Sequence, residues 1–172
     1  VEVPRSWTRY EDCGDWDYSI YTNTQMPWQE GDNASVPQAP TNYNPVGFYR
    51  KEFTVNPSML QENGRVLISF QGVESAYYVY VNGHEVGYSE DSYRPHEFDI
   101  TDYLNPQGEV NTLAVEVHKF CDGTWMEDQD MIYDGGIFRD VYLYSTPLVH
   151  ISDYRVITDL DETYTNADLQ LS

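Results

Sequence analysis

The sequence predicts an all-β fold, an antiparallel β-sandwich or jelly roll. Apolar and polar residues alternate with period two, helical periodicity is scarce, and turn residues separate many short runs. The first clear strand is 47–55, GFYRKEFTV. A helical turn is expected over 57–62: Asn56 caps it, Pro57 suits its first position, and Asn63-Gly64 ends it. Arg65 to Phe70 follows as a strand with Val66, Ile68 and Phe70 on one face. Tyr77 to Val81 meets Asn82-Gly83, whose tolerance of positive φ suits a type I′ turn, and returns through Glu85 to Tyr88. A second turn is expected after Thr101. Leu113, Val115 and Val117 alternate in another strand, Ile137 to Ser145 forms the next, and Val156-Ile157 and Leu169–Leu171 belong to later ones. Residues 29–46, rich in Pro, Asn, Asp and Gly, form a long loop of the kind that tends to carry function. Pro147 marks a boundary, so residues 1–147 form one domain and 148–172 read as the truncated start of another β domain.

Charge and length exclude several functions. The 172 residues carry 29 Asp and Glu against 9 Lys and Arg, a formal net charge of −20. Phosphate recognition needs clustered cations to displace counterions, so nucleic acid is not a partner. Anionic lipid is disfavoured for the same reason. No run approaches the roughly 20 apolar residues of a membrane span. A chain opening on Val1-Glu2-Val3-Pro4 reads as an excised segment, so a targeting signal can lie outside it. Aromatic residues make up 15%, with 16 Tyr and 4 Trp. Such a composition suits a surface that meets sugars, and Tyr is also simply a good strand residue. Cys13 and Cys121 are too few for a disulfide scaffold or a metal knuckle and are expected as free thiols.

Chemistry concentrates in two places. The stretch from Cys121 to Asp130 holds Asp122, Glu127, Asp128 and Asp130, with Asp134 just beyond. Crowded carboxylates need a cation, a donor or water. An oxygen-ligand cation site, a sugar-hydroxyl site walled by Trp125, and a solvated acidic loop are all compatible with it. The spacing is not that of an EF-hand. Glu127 and Asp130 are candidate glycosidase carboxylates only in being present, since nothing local isolates one of them in an apolar pocket. There is no G-x-S-x-G, no Gly-rich phosphate loop, and His84, His96, His118 and His150 are scattered. The second place is Ile20-Tyr21-Thr22-Asn23, where Asn23 beside a Pro-containing loop suits an Asx turn.

At these places the chain resembles the N-terminal jelly-roll, or sugar-binding, domain of glycoside hydrolase family 2 β-galactosidases. The resemblance rests on Val3-Pro4-Arg5-Ser6-Trp7, Ile20-Tyr21-Thr22-Asn23, Asn44 to Arg50, Gly72 to Tyr77, Val81-Asn82-Gly83, Val86 to Ser89, Glu97 to Ile100, Asp122-Gly123, Glu127 to Met131, and Gly136 to Val141. These occur in the family's order across residues 1–147. EDQDM followed by GIFRDV is the most specific part.

The resemblance implies an antiparallel jelly-roll sandwich, galactose-binding-domain-like, with no catalytic residue of its own. The catalytic glutamates of such enzymes lie on a (β/α) barrel. Asn23 and Asp130 are the implied substrate-binding residues, and Asp130 also the metal ligand, for a sodium ion shared with the barrel. A magnesium ion within that barrel is compatible with the resemblance. Implied partners are a β-galactoside and the barrel and immunoglobulin-like domains of the same parent, whose homo-oligomerisation stays open. Residues 148–172 would begin the immunoglobulin-like domain. An autonomous carbohydrate-binding module, an architectural β domain, and the domain of a β-glucuronidase or β-mannosidase are the alternatives. Two departures stand out. Ile132-Tyr133 occupies the place of the family's frequent Trp-Arg pair, and a family strand upstream of Val3 is absent, which predicts an unpaired sheet edge. Family members occur in the cytoplasm and outside the cell. Low Lys content and acidity lean toward a secreted bacterial parent.

Overall fold

The computed structural model describes the chain except residues 12, 14, 15, 24, 29–33, 61–63, 128 and 129. Among the described residues there is no α-helix. In chain order the strands are β1 (Ile20–Thr22), β2 (Val46–Phe53), β3 (Gly64–Phe70), β4 (Val73–Glu74), β5 (Ala76–Val81), β6 (His84–Ser89) and β7 (His96–Asp99). They continue with β8 (Asn111–His118), β9 (Met131–Tyr133), β10 (Gly136–Ile137), β11 (Val141–Pro147), β12 (Val156–Leu160) and β13 (Ala167–Leu171).

Two antiparallel sheets make a jelly-roll sandwich. One has the order β2-β8-β5-β6 and the other β11-β3-β7. Alternation puts Val66, Ile68 and Phe70 of β3 inside, against Tyr77, Val79 and Val81 of β5 and Val115 and Val117 of β8. All eight are at most 2% exposed, so the period-two pattern read from the sequence marks the true core face. Asn82 (φ 51°) and Gly83 (φ 82°) join β5 to β6 with both central residues in the left-handed region, as a type I′ turn requires. Asn56 accepts from the Ser58 N–H at 3.0 Å and caps a single 3₁₀ turn over Pro57–Met59. That turn is tighter and shorter than expected. Gly64 already begins β3, and Asn63 lies outside the described residues. A second 3₁₀ turn follows at Thr101–Tyr103.

The strand expected over Ile137–Ser145 is divided. β10 pairs with β4, whereas β11 pairs with β3. The partner chain bends between β3 and β4, so its neighbour must leave the ladder over residues 138–140 to follow. There the Gln71 N–H donates to Asp140 O at 3.0 Å, and the Phe138 N–H donates to Gly72 O at 3.3 Å. A Cβ on Gly72 would lie 2.8 Å from Arg139 Cδ and 2.9 Å from Phe138 Cζ, so a side chain at this corner would displace both.

β2 and β11 are the edge strands on one side of the two sheets. A groove of about 920 Å³ opens there, lined by residues that include Phe48, Phe53, Ile68, Leu143 and Val1. β12 and β13 pair with each other, and every residue in them is exposed. A second apolar cluster of Met26, Trp28, Phe120 and Tyr133 lies beside the sandwich core and underlies the β1–β9 ribbon.

Candidate functional site

β1 and β9 form a three-pair antiparallel ribbon: Ile20 faces Tyr133, Tyr21 faces Ile132 and Thr22 faces Met131. Thr22 and Met131 close the ladder. Asn23 and Asp130 are the next residues outward on each strand, so the ribbon brings them to one exposed end. The two residues singled out from the sequence are 107 positions apart and become neighbours through three backbone pairs. Tyr21 joins them. Its hydroxyl donates to Asp130 Oδ1 at 2.6 Å, and the Asn23 side chain bonds the same phenol. The bond to Asp130, with burial and the nearby carboxylate adding to it, raises the phenol above its ordinary range and keeps it a donor.

Sequence reading passed over Tyr21, although period two places it on the Asn23 face. The ribbon was also missed, because strands of three residues offer too little alternation. Asn23 is thus the outward extension of a strand.

Three buried or half-buried groups fix the ribbon. Asp134, immediately after β9, accepts from Thr8 Oγ1 at 2.7 Å, Ser19 Oγ at 2.5 Å and Arg9 Nη2 at 2.8 Å. Burial alone would raise its carboxyl, but the bonds from Ser19, Thr8 and Arg9 outweigh this and hold it below the usual range. Glu74 on β4 accepts from the Gly135 N–H at 3.0 Å. Gly135 has φ +84°, and a Cβ there would lie 2.5 Å from the Trp7 ring, so the turn after β9 admits only glycine without strain. On the β1 side, Lys119 donates to Asp17 at 2.8 and 3.0 Å and to Tyr18 O at 2.7 Å.

In the acidic loop, Glu127 and Trp125 make contacts that tie it to the rest of the fold. The Glu127 carboxylate accepts from the Ser92 N–H and Oγ, both at 2.7 Å, which ties the loop to the segment after β6. The Trp125 ring packs edge-on against Trp28 at 5.1 Å, and its indole N–H donates to Gln38 O at 2.9 Å. Trp125 is therefore half-buried against the second apolar cluster. Asp128 lies outside the described residues. Cys13 and Cys121 are both free and buried, and burial pushes the Cys121 thiol up to about 11. Ile132 is exposed on the ribbon, while Tyr133 is buried beneath it.

The ribbon end offers a carboxamide, a phenol and a carboxylate on an open surface. That set can hold a polyhydroxylated ring, because it supplies donors and acceptors in different directions. Among the described residues it lacks the pair of glycosidase carboxylates, one of them raised in pKa, that hydrolysis requires. Among the described residues the raised carboxyl is Glu74, pushed up to about 7 by burial, and it sits under the Gly135 turn away from Asn23 and Asp130. For a metal, Asp130 presents a hard oxygen ligand beside Tyr21. Glu90, Cys121 and Asp122 also place ligand atoms within 4.8 Å of one another, but an acidic cluster of this kind is common on surfaces.

A family model described as glycosyl hydrolases family 2, sugar binding domain, matches residues 1–147. The chain is 52% identical over its full length to a β-galactosidase of Priestia megaterium, 16% of which it covers. It is 50% identical over 90% of its length to a β-galactosidase of Clostridium acetobutylicum, covering 17% of that protein. Among solved structures, it matches a Bacteroides uniformis β-glucuronidase 2, covalently bound to cyclophellitol-6-carboxylate aziridine, with TM-score 0.63 and 26% identity over 75% of this chain and 16% of that one. A second B. uniformis β-glucuronidase shares the fold with TM-score 0.63 at 21% identity, over 89% of this chain and 20% of that one. The chain thus spans about a sixth of the length of the curated relatives it matches. No helix among the described residues is long and apolar enough to cross a membrane.

Proposed function

Because the chain belongs to the glycosyl hydrolase family 2 sugar-binding domains, we propose that it is the non-catalytic sugar-binding domain of a retaining β-galactosidase. It would lend contacts to an active site carried elsewhere in the parent. The observation that carries this reading is the meeting of Asn23, Tyr21 and Asp130 at the open end of the β1–β9 ribbon. The two β-galactosidases of about half identity supply the substrate class.

In this reading Asn23 donates to and accepts from a sugar hydroxyl, and Asp130 accepts from one. Tyr21 keeps both side chains on one side of the ribbon. A sodium ion fits the oxygen chemistry of Asp130, with its remaining ligands from the barrel, and when bound would supply a fixed positive charge beside the sugar. A magnesium ion would belong to the barrel and to none of these residues. The exposed β12–β13 hairpin supports reading residues 148–172 as strands of a neighbouring immunoglobulin-like domain.

A chromogenic β-galactoside tests the division of labour. The 172-residue chain should not hydrolyse it, and the parent enzyme should. In the parent, Asp130→Ala should lower kcat/KM by about 10–100-fold, the worth of a hydrogen bond to a charged group. Glu127→Gln should leave turnover in place and lower stability by about 1 kcal/mol, since its bonds go to Ser92. Turnover by the chain alone, or an Asp130→Ala parent of full activity, would overturn the assignment.

A further inference from the structure

The outer face of the β2-β8-β5-β6 sheet carries an aromatic row that the ribbon site does not use. Val79, Val81, Val115 and Val117 point inward, so Tyr78, Tyr80, Ala114 and Glu116 point out. Register then sets side chains abreast. Phe48 on β2 lies opposite Glu116 on β8, Glu116 opposite Tyr78 on β5, and Tyr78 opposite Tyr88 on β6. This row crosses four strands, a span of about 14 Å at ordinary strand spacing. Phe48 is 78% exposed and Tyr88 43%, with the Tyr78 and Tyr88 rings 4.8 Å apart. His118 adds an imidazole 3.0 Å from Glu116.

The neighbouring row reads Arg50, Ala114, Tyr80, Glu85. Ala114 is small between two long side chains, and a depression of about 610 Å³ forms over it. Arg50, Tyr80, Thr112, Asn82 and Asn105 line its sides. Among the described residues the Arg50 guanidinium has no ion-pair or hydrogen-bond partner, so its five N–H donors face the depression's surroundings uncommitted. Desolvation and the carboxylates of Glu85 and Glu116 raise the Tyr80 phenol, which stays a neutral donor.

We propose that this face is a second carbohydrate-binding surface, which takes a neutral oligosaccharide laid across the strands with one pyranose seated over Ala114 against the Tyr80 ring. Flat aromatic faces accept the C–H side of a pyranose, and the Arg50 guanidinium at the side of the depression offers donors to its hydroxyls. Glu52, Glu85 and Glu116 on the same face, in a chain of net charge −20, select against acidic glycans. A protein interface would want an apolar centre ringed by polar residues. Here Glu116 stands between Phe48 and Tyr78, and Arg50 and Glu85 flank Ala114 and Tyr80, so charged groups lie among the rings and not only around them, which suits a ligand that offers both C–H faces and hydroxyls.

The test titrates the 172-residue chain with a neutral β-linked galactotetraose and follows amide shifts by NMR. Saturable binding is expected, with shifts mapping to Phe48, Tyr78, Tyr80 and Ala114. Tyr80→Ala should weaken it by about tenfold or more, as should Ala114→Trp, which fills the depression. Phe48→Ala, at a largely solvated position, provides a variant that does not act through misfolding. Asp130→Ala should leave this binding unchanged, which separates the face from the ribbon site. Absence of saturable binding would overturn the proposal. So would binding that survives Tyr80→Ala and Phe48→Ala but fails in Asp130→Ala, a preference for the equivalent galacturonic tetramer, or self-association of the chain through this face.

Discussion

Replacing Lys119 by Met should destabilise the chain by about 3–5 kcal/mol, the loss typical when one partner of a buried ion pair is removed. The side chains of Lys119 and Asp17 are both fully buried. The ammonium's three donors are all engaged, two by Asp17 and one by Tyr18 O. Asp17 also accepts from the Trp7 indole N–H, the Tyr43 hydroxyl and the Tyr18 N–H. Burial, and then the bond to Asp17, hold the Tyr43 phenol well above its ordinary range, so it donates. Without Lys119 a carboxylate remains in the interior with neutral donors only. The double variant Asp17→Asn, Lys119→Met should recover part of the loss, because the stranded charge is gone while Trp7 and Tyr43 keep an acceptor. Urea unfolding of the two variants decides the matter. An unfolding free energy of Lys119→Met within about 1 kcal/mol of the parent would show that the pair holds nothing. Hydrogen exchange should rise at Tyr21 and Ile132 in the single variant, because Asp17 and Tyr18 anchor the segment entering β1.

This hub was not legible in the sequence, and the reason is physical. Asp17 and Lys119 lie 102 positions apart, and each occurs where a solvated charge is the ordinary expectation. Periodicity reports which face of a strand meets the core, so Val66, Ile68, Phe70, Val79 and Val115 could be read directly. It carries no information about polar groups that find partners across the fold. The same limit explains β1, β9 and β4, whose two or three residues hold less than a full alternation. Asn82-Gly83 was legible because its conformation is local. The break after Ile137 was not, because it follows from a bend in a different part of the chain at Gly72. For the candidate site, composition and spacing left the acidic loop with three readings. Asn23 and Asp130 were separated from the other polar residues by resemblance to a family, and the ribbon supplies the geometry that the resemblance lacked. It also reassigns the neighbours: Glu127 serves Ser92, Trp125 serves the second apolar cluster, and Tyr21 takes the place beside Asp130.

The stability of the chain should fall as pH rises from about 4.5 to about 7, and Glu74→Gln should abolish that part of the slope. Glu74 is 6% exposed on β4, and its carboxyl is pushed up to about 7, first by burial. The N–H groups of Gly135 and Asp134 and the charge of Lys119 oppose the shift, and Asp134 adds to it. On the far side its own charge helps raise the Tyr93 phenol, second to burial. The folded state therefore binds a proton that the unfolded state, with an ordinary glutamate near 4.5, has already released. Protons bound in excess by the folded state make unfolding easier as pH increases. The stabilisation is fully present below about 4.5 and is lost as pH passes through about 7. Its size follows from the shift at 1.36 kcal/mol per unit, about 3 kcal/mol in all. The carboxamide introduced by Glu74→Gln would keep an acceptor for the Gly135 N–H and carry no titrating proton. The difference in unfolding free energy between the two proteins should thus change by about 3 kcal/mol between pH 4.5 and 8, in favour of Glu74→Gln at the higher pH. Other titrating groups are common to both proteins and cancel in the difference. Parallel stability curves across this range would mean that Glu74 titrates as it does in the unfolded chain, and that the carboxyl beneath the Asp134-Gly135 turn is solvated rather than buried.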